Sequence, residues 1–216
     1  MKFLFSILAI LVTTTAILTA NTASLDSALS SGPGRYRLVD ESVRLESLPS
    51  SVEEFTTMRN ALATNPKGGY AMFVAAMLTY VKNKDLGTKF FTLIMDMDAL
   101  SRNPGNPLNV QGYVPNANAL YLVRQLDSRL YLPAIYLVGT SVDNGYSYSL
   151  PAGIEFRQAT VRNAETVTLY ALTTGGNSAR PITLRKNDKG IWKAAEFSSV
   201  FVGASRVPQT RRTDTL

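Results

Sequence analysis

With no Cys and no His among its 216 residues, the chain has no thiolate nucleophile, no imidazole base, no disulfide and neither of the side chains that usually hold zinc. Reactive groups reduce to carboxylates, hydroxyls and lysines. Ser-x-x-Lys, Gly-x-Ser-x-Gly, Gly-x-Gly-x-x-Gly and the phosphate-cradling Gly-x-x-x-x-Gly-Lys are all absent from the sequence, which removes the common hydrolase, dehydrogenase and ATPase chemistries. What remains is carboxylate chemistry, where a glycosidase needs two acids about 5 to 9.5 Å apart across a cleft. The most conspicuous acidic pair is Asp96-Met97-Asp98. On a helix, residues two apart point about 200° away from each other, so this pair is read as a solvated helix end. As the start of a calcium loop it also fails, because Leu100 takes the fifth position and Ser101 the place of the required Gly. No catalytic residue, metal ligand or cofactor is therefore expected.

Binding chemistry has better candidates. Ser101 to Asn118 holds five Asn, three Pro and two Gly, and an irregular connection of that length normally has a use. Asn103, Asn106, Asn109, Gln111 and Asn116 offer paired donors and acceptors, and Tyr113 a flat apolar face, a set suited to a sugar or a peptide backbone. The same composition also makes an inert surface loop. A second candidate is the basic end. Residues 21–150 carry 11 Lys/Arg against 11 Asp/Glu, whereas 151–216 carry 10 against 5, so the excess behind the net charge of +6 lies in the last third. Trp192, beside Arg185, Lys186 and Lys193, is either a core anchor or a cation-flanked stacking surface. The charges themselves read most simply as long side chains of strands standing in water.

Elements must position these groups. Met1-Lys2 and the uncharged run Phe3 to Leu18 read as a secretory signal, residues 1–20, cut after Ala20 or Ala23. Sixteen residues reach about 24 Å as a helix, short of the roughly 30 Å hydrocarbon core, so no stable membrane span is expected after cleavage. Residues 21–34 read as a flexible Ser/Ala/Gly linker and 206–216 as a basic tail. Between them, 35–205 reads as a single α+β domain of about four helices followed by a roughly five-stranded antiparallel sheet.

Arg35 to Leu48 is an extended lead-in or short strand. Ser51 and Glu54 make a capping box opening a helix through Leu62, which Asn65-Pro66-Lys67-Gly68-Gly69 stops. Tyr70 to Val81 has no charge and reads as the central buried helix, Asp85 to Leu100 as the third and Ala119 to Asp127 as the fourth. From Leu130 the period changes. Leu130–Gly139 and Gly153–Arg162 read as strands joined across Asp143-Asn144-Gly145, followed by Thr166–Thr174, Pro181–Lys186 and Ile191–Val202. The last two are linked by an Asn187-Asp188-Lys189-Gly190 hairpin.

Taken in order, several of these pieces resemble one family. They are Ser51-Val52-Glu53-Glu54-Phe55 with Arg59; Leu62-Ala63 with Pro66, Gly68 and Gly69; Tyr136-Leu137-Val138-Gly139 with Asn144-Gly145-Tyr146; and Arg180-Pro181-Ile182-Thr183-Leu184-Arg185-Lys186-Asn187 with Gly190, Trp192-Lys193 and Ser198-Ser199. The resemblance, over roughly 48 to 205, is to an uncharacterised bacterial family, a domain of unknown function of mostly exported or lipid-anchored proteins. It implies a helical first part, a β-rich end and an envelope setting, and it carries no activity. The lipid-bearing Cys is missing here, so an anchor is not expected. Three roles follow as expectations: an exported, non-catalytic binding domain whose partner is an envelope glycan or protein rather than nucleic acid; a carboxylate-based envelope hydrolase; or a purely structural envelope protein.

Overall fold

A computed structural model describes residues 35–176 and 178–205. The signal, linker and tail assigned to 1–20, 21–34 and 206–216 lie outside the described residues. Within them the α+β domain is as expected: four α-helices and one five-stranded antiparallel sheet. No helix among the described residues is long and apolar enough to cross a membrane.

The elements in chain order are β1 (Arg35–Leu45), α1 (Val52–Leu62), α2 (Pro66–Tyr80), α3 (Lys84–Ile94), β2 (Leu100–Arg102), β3 (Tyr113–Pro115), α4 (Ala117–Val123), β4 (Ala152–Asn163), β5 (Thr166–Ala171), β6 (Arg180–Lys186) and β7 (Trp192–Glu196). Strands β1-β4-β5-β6-β7 neighbour one another in that order. Every residue of α2 is buried, because the sheet, α1, α3 and the 3-10 turn Leu132–Tyr136 all pack against it. Ile154, Phe156, Val161, Val167, Leu169, Ile182, Leu184, Trp192 and Ala194 form the inner face of the sheet. Alternate residues of the same strands face outward.

Several boundaries differ from the sequence reading. Asn65-Pro66 ends α1 and also starts α2: Asn65 Oδ1 accepts from the Gly68 amide at 3.0 Å and Pro66 takes the first helical position. Ser51 caps α1 through the Glu54 amide at 3.1 Å, but the Glu54 carboxylate turns to Ser50 N and Oγ, each at 2.7 Å, instead of closing the box on Ser51. Helix α3 stops at Ile94, six residues early. Met95 there bridges to Ala194 and the Asp96 amide donates to Ala194 O at 2.8 Å, so the chain leaves the helix to cover the free edge of β7.

The segment 130–139 is not a strand. Leu132–Tyr136 is a 3-10 turn started by Pro133 and wholly buried. A fifth strand is instead supplied by β1, which pairs antiparallel with β4 across a bulge between Leu38 and Glu41. Short apolar runs do not distinguish a buried turn from a buried strand, and here packing against α2 decides. The long loop is likewise more ordered than expected: Leu100–Arg102 and Tyr113–Pro115 pair as a two-stranded ribbon.

Candidate functional site

The polar loop side chains are largely committed to the loop itself. Asn109 Nδ2 donates to Pro104 O at 3.1 Å and Asn106 O at 2.6 Å, and its Oδ1 accepts from the Gly112 amide at 3.1 Å. Asn106 Oδ1 accepts from Leu108 N at 2.8 Å. Asn116 caps α4 through Ala119 N at 2.9 Å while its Nδ2 donates to Asp98 O at 3.0 Å. Asn103 is exposed, and its amide N donates to Gly112 O at 2.8 Å. These four asparagines shape the loop and the start of α4, and they are not among the residues lining the cleft described next.

Gln111 and Tyr113 are placed differently. Val110 and Tyr113 exchange two backbone hydrogen bonds, of 2.9 and 3.0 Å, around a two-residue turn in which Gln111 has φ 55° and Gly112 φ 83°. Positive φ at both positions defines the type I′ hairpin turn, whose first position favours Asn, Asp or Gly. A Gln there is held in a costly conformation, and it stands on the rim of a cleft of about 170 Å³.

That cleft is lined by Gln111 and Tyr113 from the loop, Leu93 and Asp96 at the exit of α3, Arg59 from α1 and Lys193 from β7. Its walls include Met95, Met97, Leu100 and Val110. Leu93 is one of the residues whose carbonyls a helix end leaves without an intrahelical partner, and such ends attract cations. Two arrive: Arg59 Nη1 donates to Leu93 O at 3.1 Å, and Lys193 Nζ donates to the same oxygen. Burial, and secondarily the nearby Arg59 guanidinium, lowers the Lys193 ammonium to about 8, against partial support from Asp96. Desolvation also lowers Arg59 from its ordinary value.

The basic candidates are thus separated. Arg185 leaves the cleft region to bind Asp96 Oδ1 at 3.0 Å and Asp98 Oδ2 at 2.8 Å. Its hydrogen bond to Asp98 and the charge of Asp96 raise its pKa. Lys186 lies over the Trp192 ring, 5.6 Å from its centre, and Trp192 is 1% exposed, so this cation–π contact caps a core residue. Only Lys193 joins the loop residues. Sequence reasoning did not select Arg59 or Asp96 for this site, although Arg59 and Lys193 both stand in the segments that carry the family resemblance.

The Asp96/Asp98 pair also needs correction. The residues are not on an α-helix: Met97–Ala99 is a 3-10 turn capped by Asp96, whose Oδ1 accepts from Asp98 N at 3.2 Å. Both carboxylates therefore converge on one guanidinium nitrogen, which occupies the space between them. Two further cavities each hold one acid: Glu196 in an outer trough on the sheet, and Glu155 in a shallow apolar depression beside Val138 and Leu172. No group of three or more Asp or Glu that could hold a metal ion occurs among the described residues.

Residues 47–208 match the family described as a domain of unknown function, DUF6935. No curated protein and no solved structure matches the chain.

Proposed function

The chain belongs to the DUF6935 family, and we propose that it is a non-catalytic binding domain, exported to the bacterial envelope, whose ligand is a small anion with an apolar body. The observation that carries this reading is the convergence of Gln111, Tyr113, Arg59 and Lys193 on one cleft with apolar walls. Two features there cost stability: a glutamine at positive φ and an ammonium largely removed from water. Groups held at such cost concentrate where ligands bind. A carboxylate entering the cleft would meet two cations at the end of α3, while Asp96 on the same lining is paired with Arg185, and the ligand's apolar part would lie against Tyr113, Met95 and Val110. Against the hydrolase alternative, the cleft and the two further cavities described above hold one acid each, and Asp96 and Asp98 share Arg185. Export is supported by the Phe3–Leu18 run, and the mass of the protein recovered from envelope or culture fractions, lower by residues 1–20 or 1–23, is its test.

The binding test is an amide NMR titration with benzoate and hexanoate, with benzamide as the neutral control. Saturable shifts at Gln111, Tyr113 and Lys193 are expected with the carboxylates only, and the affinity should fall as pH rises through about 8, where the free Lys193 loses its proton. Lys193→Gln should weaken binding about tenfold or more, the worth of a hydrogen bond to a charged group. Gln111→Gly should also weaken binding while stabilising the fold by up to about 1 kcal/mol, because glycine relaxes the turn. Carboxylates that leave the cleft amides unmoved at neutral pH would sink the reading.

A further inference from the structure

The outward face of the sheet carries a second feature, independent of the cleft. Four polar residues stand in register across four strands: Thr160 pairs with Thr168, Thr168 with Thr183, and Thr183 with Glu196. They run along a trough of about 260 Å³ whose wall includes Tyr170 and whose rim includes Arg162. The two central threonines are buried, 6% and 5% exposed, while Arg162 and Glu196 keep half or more of their side-chain surface in water. Threonine is a common strand residue. The direction of the hydrogen bonds along this row is what distinguishes it.

Glu196 Oε2 accepts from Thr183 Oγ1 at 2.8 Å and meets Arg162 Nη2 at 3.3 Å. A carboxylate only accepts, so the single hydroxyl proton of Thr183 is committed to it. In the 3.0 Å contact between Thr168 and Thr183 the donor is then Thr168. With its proton spent, Thr168 offers only lone pairs to an occupant of the trough. Glu196 Oε1 likewise offers lone pairs, and the remaining guanidinium N–H groups of Arg162 offer donors beside it. This pattern matches a ring bearing adjacent hydroxyls, one donating to the carboxylate and its neighbour accepting from the guanidinium. An anion would be repelled by Glu196, and a purely apolar occupant would strip water from the row and return no hydrogen bond.

We propose that this trough is a binding site for a neutral pyranose sugar, with Glu196 and Arg162 reading a vicinal diol and Thr168 accepting a third hydroxyl. The test is an amide NMR titration of the full chain with glucose, galactose and N-acetylglucosamine. At least one sugar should give saturable shifts confined to Thr160, Thr168, Thr183 and Glu196 and their neighbours. Glu196→Gln, on the solvated rim, should weaken that binding about tenfold or more. Arg162→Ala, also on the rim, should weaken it too. Lys193→Gln should leave sugar binding unchanged, which separates this site from the anion cleft. The proposal is overturned if none of the three sugars gives saturable shifts, if the shifts map elsewhere, or if both rim variants bind as tightly as the parent chain.

Discussion

Lys193 links burial, charge and pH. Its ammonium titrates near 8 in the folded protein against an ordinary value of 10.5, because burial disfavours the charged form. Below pH 8 both folded and unfolded chains hold the proton and the folded state bears the full desolvation cost. Between 8 and 10.5 the unfolded chain binds more protons than the folded one, so stability rises with pH across that window and is flat above it. The gain is on the order of 3 kcal/mol. Lys193→Met, which removes the buried charge and retains an unbranched side chain, should raise the unfolding free energy at pH 7. It should also abolish the rise between pH 8 and 10.5. Denaturant titrations at several pH values check both, and a parent chain whose stability falls across that window would contradict the assignment. The tyrosines of the core behave in the opposite sense. Burial pushes Tyr70 and Tyr136 up, so they remain neutral donors to Arg180 O at 3.0 Å and Val200 O at 2.8 Å.

Between elements, a few polar contacts fix what the apolar core leaves undetermined. Strand β1 is attached at the sheet edge and its register is broken by a bulge. Next to that bulge Glu41 Oε2 lies 2.9 Å from Lys67 Nζ in the first turn of α2, with side chains 3% and 6% exposed. Removing one member of a buried pair strands the other charge, so Glu41→Gln should destabilise by about 3–5 kcal/mol. Glu41→Leu combined with Lys67→Met should recover most of that loss, because an apolar pair of similar volume needs no desolvation. Thermal unfolding of the single and double variants measures this, and a double variant no better than Glu41→Gln would refute it. At the other end, residues 200–205 have few ladder partners, and side chains satisfy their carbonyls instead. Arg129 donates to Phe201 O at 2.8 Å, Arg180 to Gly203 O at 3.3 Å, Tyr131 to Ala204 O at 3.0 Å and Tyr146 to Ser205 O at 2.6 Å. Tyr146 reaches its acceptor from φ 57°. Close approach has a similar signature at Gly69, where an added Cβ would fall 2.8 Å from Trp192 O. Two distant parts of the resembling segments, the paired glycines and the tryptophan hairpin, thus meet in the core.

One core serves the described residues, since the sheet, α1, α2 and α3 all contribute to a single cluster of buried side chains. A fragment of residues 35–205 should therefore unfold in one cooperative step, with coincident transitions by far-UV signal and by Trp192 fluorescence. Separate helical and β transitions would show two units instead. Much of this architecture was legible in the sequence because it depends on local pattern. Twelve uncharged residues from Tyr70 announce a helix buried on all sides, Ser51 and Asn187-Asp188-Lys189-Gly190 announce a cap and a hairpin, and the missing Cys and His limit the available chemistry before any fold is known. The positions that sequence pattern misplaced depend on contacts distant in sequence. Leu130–Gly139 has the same composition as a buried strand and became a turn against α2. Asp96 and Asp98, two residues apart, would diverge on a helix and instead meet on Arg185, 89 and 87 residues away. Residue type and spacing by themselves determined the fold class, the Ser51 cap of α1 and the chemistry that is excluded. Only the tertiary structure decided that Gln111, Tyr113, Arg59 and Lys193 share a cleft and that Thr168, Thr183 and Glu196 form one directed chain of hydrogen bonds, because side-chain direction and desolvation arise only when separate elements pack.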